Sequence, residues 1–191
     1  MTLRPLLLGL AIALATACST TGVRTVTDPD APRSLPEQGP VTVRWQDPSG
    51  FSDLRYSGNR YEAARGNWVQ ELAQHLRDEA QTRLAPGQRL DVDILDIRRA
   101  GMYEPWRGPD LDDVRIIRDF YPPSMTLNFR HTDADGRVLA QGERKLRDSG
   151  FLMGDSPMDT DPLRYEKRMI DRWVREITSP GRVTSRSTPG A

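Results

Sequence analysis

Cysteine is nearly missing from this chain: Cys18 is the only one in 191 residues. One thiol can neither close an intramolecular disulfide nor assemble a zinc cluster. Net charge is missing too, because 27 basic and 27 acidic side chains cancel. That removes the basic footprint of a general nucleic-acid binder, and no nucleic-acid partner is expected. No apolar run reaches the roughly 20 residues that span a bilayer. There is no Gly-x-Ser-x-Gly elbow, no phosphate-cradling loop and no dinucleotide fingerprint, so no cofactor is expected. Internal repeats are absent. Gly and Pro, 15 each, are too few for whole-chain disorder. The length suits one domain.

What is present begins with an address. Arg4 is the only charge before Arg24, an apolar run fills residues 6–14, and Ala15-Thr16-Ala17 leads directly into Cys18. Positive start, apolar middle and small-residue exit are the parts of an export signal. A lone cysteine at the cut resembles the bacterial lipoprotein pattern, in which the thiol takes a diacylglycerol and becomes the new N-terminus. Ala15-x-Ala17 also suits ordinary signal cleavage, which leaves a soluble periplasmic protein as the alternative. By the same resemblance, Ser19 after the cysteine suits lipid anchoring at the periplasmic face of the outer membrane. Loss of residues 1–17 removes Arg4 and no acid, leaving a net charge of −1.

Residues 18–40, rich in Thr, Pro and small polar side chains, read as a lipidated N-terminus and flexible tether. Residues 179–191 read as a frayed, disordered tail. Residues 41–178 form the single globular domain. Residues 41–45 alternate and are β-branched, as a strand does. Residues 67–84 carry helical spacing at Trp68, Leu72, Leu76 and Ala80, with Asn67 and Gln70 resembling a capping box. Leu90, Val92 and Ile94 alternate with Asp91 and Asp93 in a second strand, and residues 114–119 suggest a weaker one. Residues 125–130 and 138–147 flank Asp133-Ala134-Asp135-Gly136 as a hairpin. Asp161-Pro162 opens a last helix with Leu163, Met169, Ile170, Trp173, Val174 and Ile177 on one face.

The order β-α-β-β-β-β-α implies an α+β fold. It is a single two-layer domain, with two helices on one face of a mixed, mostly antiparallel sheet. The other sheet face, with Asp91, Asp93, Asn128 and Arg130, is expected to be solvated.

These pieces resemble one bacterial family, domain of unknown function 3016. The resemblance starts with Val41-Thr42-Val43-Arg44-Trp45-Gln46-Asp47-Pro48, Phe51-Ser52-Asp53 and Leu84-Ala85-Pro86-Gly87-Gln88-Arg89-Leu90. Val114-Arg115-Ile116-Ile117-Arg118-Asp119 and Tyr121-Pro122-Pro123 follow. Residues 127–146 with the Asp135-Gly136 turn, Arg147-Asp148 and Tyr165-Glu166-Lys167-Arg168-Met169 complete it. The resemblance implies an exported envelope protein and brings no catalytic residue with it.

Candidates for chemistry are few. Gly154-Asp155-Ser156 is similar to the nucleophile block of one lipase class, but that chemistry needs a histidine normally downstream, and both His75 and His131 lie upstream. Two histidines without cysteine make a weak transition-metal set and read as structural. Asp155, Asp159 and Asp161 could offer oxygens to calcium, though not at EF-hand spacing, so no metal is expected. Arg164, Arg168 and Arg172 repeat every four residues. They form either a ridge for an anionic envelope component or a solvated face laced by Lys167/Asp171, Asp171/Arg175 and Arg172/Glu176 pairs. Tyr103, Trp106 and Tyr121 stand in loops and are candidate binding anchors. The function expected is a non-catalytic binding or accessory module tethered to the membrane; an envelope hydrolase is the alternative.

Overall fold

The computed structural model describes residues 24–154 and 158–179. The expectations for the signal segment, Cys18, Asp155, Ser156 and the tail from residue 180 lie outside the described residues. In chain order the elements are β1 (Val41–Trp45), α1 (Ser52–Arg55), α2 (Arg60–Ala64), α3 (Trp68–Arg83), β2 (Arg89–Arg98), β3 (Met102–Tyr103), β4 (Arg115–Ile116), β5 (Ser124–Thr132), β6 (Val138–Arg147) and α4 (Arg164–Thr178). The main sheet runs β1-β2-β5-β6, and β3 with β4 makes a separate ribbon. β1 is parallel to β2, whereas β2, β5 and β6 are antiparallel, giving the α+β fold with a mixed sheet.

Sequence period explains the main layers. In α3 the buried residues Trp68, Val69, Leu72, Ala73, Leu76 and Ala80 form one stripe. In α4 Met169, Ile170, Trp173 and Val174 do the same. Both stripes meet the inward strand residues in a single core, where the Trp173 ring lies edge-on to Phe129 at 5.5 Å. In β2 the register shifts between Ile94 and Asp96. The extra residue, Leu95, moves the alternation by one, so Ile97 faces the core opposite Met125 and Asp96 turns away. The outward residues Asp91, Asn128 and Arg130 are exposed. Among the described residues no helix is long and apolar enough to cross a membrane.

Four local expectations differ. Residues 24–40 are docked on the domain rather than slack. Val26 and Leu35 are buried in the core. Leu35 N–H donates to Val43 O at 3.0 Å and Trp45 N–H to Arg33 O at 2.9 Å, so this strip pairs along the outer edge of β1 and covers it. Two isolated apolar residues suffice because the free strand edge supplies the backbone partners. The strand expected over 114–119 is only the two-residue β4, and it pairs with β3, part of a segment read as loop. Asn67 makes no side-chain cap. α4 begins at Arg164, two residues after Pro162, while Asp161 Oδ1 still accepts from Leu163 N–H at 2.8 Å.

Candidate functional site

Two excursions leave the sheet and pack on each other: residues 47–66, between β1 and α3, and residues 99–121, between β2 and β5. The first turns at Asp47, whose carboxylate accepts from Ser49 N–H at 3.1 Å and Ser49 Oγ at 2.6 Å. Phe51 is buried behind that turn. Asp96, turned off the core by the bulge, accepts from Ser52 N–H at 2.6 Å and from Ser52 Oγ at 2.7 Å. This fixes the start of α1 and drives Asp53 inward. Asn59 then caps α2, its Oδ1 accepting from Glu62 N–H at 3.1 Å.

Asp53 is the hub. Its side chain is 2% exposed and sits between two arginines of the second excursion. Arg99 donates from its backbone N–H at 2.9 Å, from Nε at 3.0 Å and from Nη2 at 2.7 Å. Arg115 donates from Nη1 at 3.2 Å and Nη2 at 2.9 Å. Arg99 stacks over Trp68 at 4.2 Å and Arg115 over Tyr103 at 4.8 Å. Burial opposes ionisation of Asp53, but the attractions of Arg115 and Arg99 outweigh it and hold the carboxyl below its usual range.

Two further carboxylates tie down the second excursion. Glu104 accepts from Arg118 Nε and Nη2, both at 3.0 Å, from Arg107 Nε at 2.7 Å and from Tyr121 Oη at 3.1 Å. The Arg118 hydrogen bonds lower its pKa. Glu166, reaching up from α4, accepts from Ala100 N–H at 2.6 Å through Oε1, while its buried Oε2 has no partner. Burial raises the Glu166 pKa. The excursions also touch directly. Asn59 Nδ2 donates to Asp112 O at 3.0 Å, and Gly58 lies so close to Tyr103 O and Pro105 that a Cβ there would sit 2.4 Å and 2.6 Å away.

This cluster ties the two excursions together through one buried carboxylate. Five donors occupy Asp53, and the crevice that reaches Asp53 and Arg115 holds about 10 Å³, room for at most one water. His75 Nε2 meets Asp171 Oδ1 at 2.6 Å, and His131 Nε2 meets Gln88 Oε1 at 3.1 Å, so neither histidine nitrogen named here meets a serine hydroxyl. Among the described residues no group of three His, Cys, Asp or Glu could hold a metal ion. Asp161, one of the calcium candidates, is bonded to Leu163 N–H and Lys167.

The candidate anchors divide. Trp106 is 66% exposed. Tyr103 is buried under Arg115, and Tyr121 is half-buried with its hydroxyl on Glu104, so these two shape the surface from beneath. The α4 arginines reach toward residues 148–161, and the expected i,i+4 pairs are replaced by other partners. Arg168 donates to Phe151 O and to Gly154 O at 3.1 Å, and Arg172 Nη2 to Asp148 Oδ2 at 3.0 Å. Arg164 lies over Tyr165 at 4.3 Å and donates to Asp161 O at 3.0 Å. Lys167 turns to Asp161 and Asp171 to His75. The ridge therefore staples residues 148–154 and the start of α4.

Sequence reasoning missed the Asp53 clamp and the exposed Tyr56 and Tyr61, whereas Phe120, beside Tyr121 in a Pro-flanked loop, was within its reach. The available signal was the number of aromatic and arginine residues falling in segments without period. Of the aromatic side chains, Tyr56, Tyr61, Trp106 and Phe120 are the exposed ones among the described residues, and all four stand on the two excursions. No curated protein and no solved structure matches the chain. One family does, over residues 39–176, the stretch from the approach to β1 almost to the end of α4. On that match, which covers well over half of its length, the chain belongs to the family described as protein of unknown function (DUF3016).

Proposed function

We propose that this protein is an envelope lipoprotein, anchored through Cys18 at the periplasmic face of the outer membrane, whose folded unit binds an envelope component rather than catalysing a reaction. The observation that carries the binding role is the gathering of Tyr56, Tyr61, Trp106 and Phe120 on two excursions clamped by buried ion pairs. Exposed aromatics cost solubility, and a surface made only of solvated loops has no need of a rigid support. Here Asp53 and Glu104 hold the backbone beneath the rings, so binding would order little that is not already ordered. The anchor rests on the signal-like start and the placement of the one cysteine.

A photo-crosslinking residue at position 106 or 120, with position 141 on the solvated strand β6 as control, tests the role in the native host. A discrete adduct from 106 and 120 but not from 141 is the expected result; equal labelling from all three would remove the surface. Mass spectrometry of the mature N-terminus tests the anchor separately, since Cys18 should carry acyl mass. A bare Cys18 at the N-terminus would make the protein a soluble periplasmic one.

A further inference from the structure

We propose that an arginine-rimmed concavity beside the point where the N-terminal segment joins the fold docks onto the phosphate groups of an anionic phospholipid bilayer. The concavity measures about 590 Å³, and no carboxylate lines it. Leu54, Ala64 and the Tyr61 ring supply an apolar body, and Arg55, Arg60 and Arg65 supply positive charge. Arg65 is committed to Glu62 at 2.8 Å. Arg55 and Arg60 differ: among the described residues neither has a carboxylate partner. Arg60 Nη2 donates to Arg55 O at 3.3 Å, and Arg55 lies 5.5 Å over Tyr56. Two guanidinium side chains lining one concavity without a carboxylate partner attract an anion, and their planar forks suit phosphate oxygens.

The position of the concavity selects the bilayer as the source of that phosphate. Gly66 N–H donates to Arg24 O at 2.7 Å, Val26 N–H to Ala64 O at 2.9 Å and Thr25 Oγ1 to Ala64 O at 3.0 Å. The chain is thus fixed at the rim, which Thr25 and Thr27 help to line. Cys18 lies six residues before Arg24. Six extended residues reach at most about 20 Å. On the anchor reading proposed above, the concavity is held within that distance of the lipid headgroups. A tether of this length raises the local headgroup concentration enough for a weak site to be occupied. Tyr56 and Tyr61, more than half exposed beside the arginines, offer rings of the kind that settle at a membrane–water interface.

The test uses the chain from residue 18 to 191 carrying Cys18→Ser, so that no acyl chain contributes. Its partition is measured on vesicles of phosphatidylcholine alone and of phosphatidylcholine with phosphatidylglycerol. Partition onto the anionic vesicles only, weakened by salt, is expected. Each arginine near such a surface adds roughly fivefold. Arg55→Gln with Arg60→Gln should therefore reduce partition about 25-fold, with the thermal melt unchanged. Arg130→Gln with Arg147→Gln, on the far sheet face, should leave partition unchanged. Equal partition on both vesicle types, none on either, or equal losses from the two double variants would overturn the proposal. So would tight binding of inorganic phosphate that abolishes vesicle binding, which would make this a small-anion site. Because Cys18 is replaced throughout, failure here leaves the anchor to be decided by the N-terminal mass.

Discussion

Arg99 grips Asp53 with three nitrogens, its backbone amide and two of its guanidinium, and so joins two chain segments 46 residues apart. Such a pair is costly to break from one side, because the remaining charge stays buried without compensation. Asp53→Ala would leave Arg99 and Arg115 facing each other, and a loss of about 3–5 kcal/mol is expected. Urea unfolding followed by far-UV circular dichroism measures it. A loss below about 1 kcal/mol would mean that the clamp is not a structural support.

Glu166 and Asp53 should pull the pH dependence of stability in opposite directions. The Asp53 pKa is lowered in the fold, so its contribution is present above the unfolded value and is lost as pH falls through the folded one. The Glu166 pKa is raised by burial, despite Arg99 and Arg115 nearby. Its contribution is therefore complete below the unfolded value and lost as pH rises through the folded one. Glu166→Gln keeps a neutral side chain at every pH. Relative to the parent, the variant should gain stability as pH rises above the ordinary glutamate range, by up to about 1.4 kcal/mol per pH unit. Parallel stability curves for parent and variant would show that Glu166 does not titrate in this way.

Gly58 gives a way to loosen the two excursions without touching charge. A Cβ at this position meets the backbone oxygen of Tyr103 and the Pro105 ring, neither of which can move cheaply. Gly58→Ala should cost about 1–3 kcal/mol through overpacking. Amide hydrogen exchange should speed up in residues 99–121 while α3 stays protected. Uniform acceleration across both regions would show that the excursions do not open separately from the core.

The layers of this fold were legible because their signals are local. The stripe of α3 repeats within each turn, and the hairpin of β5 and β6 alternates about an Asp-Gly turn. The excursions carry no such period. What orders residues 99–121 is an ion pair between Arg115 and Asp53, 62 positions apart, and no window along the chain contains both. The docked strip at 24–40 hid for a related reason: Val26 and Leu35 are single apolar residues whose partners are a distant strand edge and helix. On α4 the four-residue arginine spacing was plain, but the carbonyls of Phe151 and Gly154 that use it lie on a preceding turn. The exposure of Trp106 was legible because its proline-flanked loop was evident, whereas Tyr121, equally aromatic, is claimed by Glu104.

Burial separates the aromatic residues that hold the fold from those free to act on a partner, and substitution should reveal the division. Trp68 is buried under Arg99, and its Nε1 donates to Ala63 O at 3.0 Å. Trp68→Ala should cost about 3–5 kcal/mol. Trp106 and Phe120 are both more than 60% exposed, so Trp106→Ala and Phe120→Ser should each shift stability by no more than about 0.5 kcal/mol. If these rings recognise a partner, the two surface variants should lose the position-specific crosslink while melting with the parent. If instead they only cap the excursions, melting temperature and crosslink would fall together. Comparing the two readouts in the same variants therefore decides whether this surface exists for binding or for support.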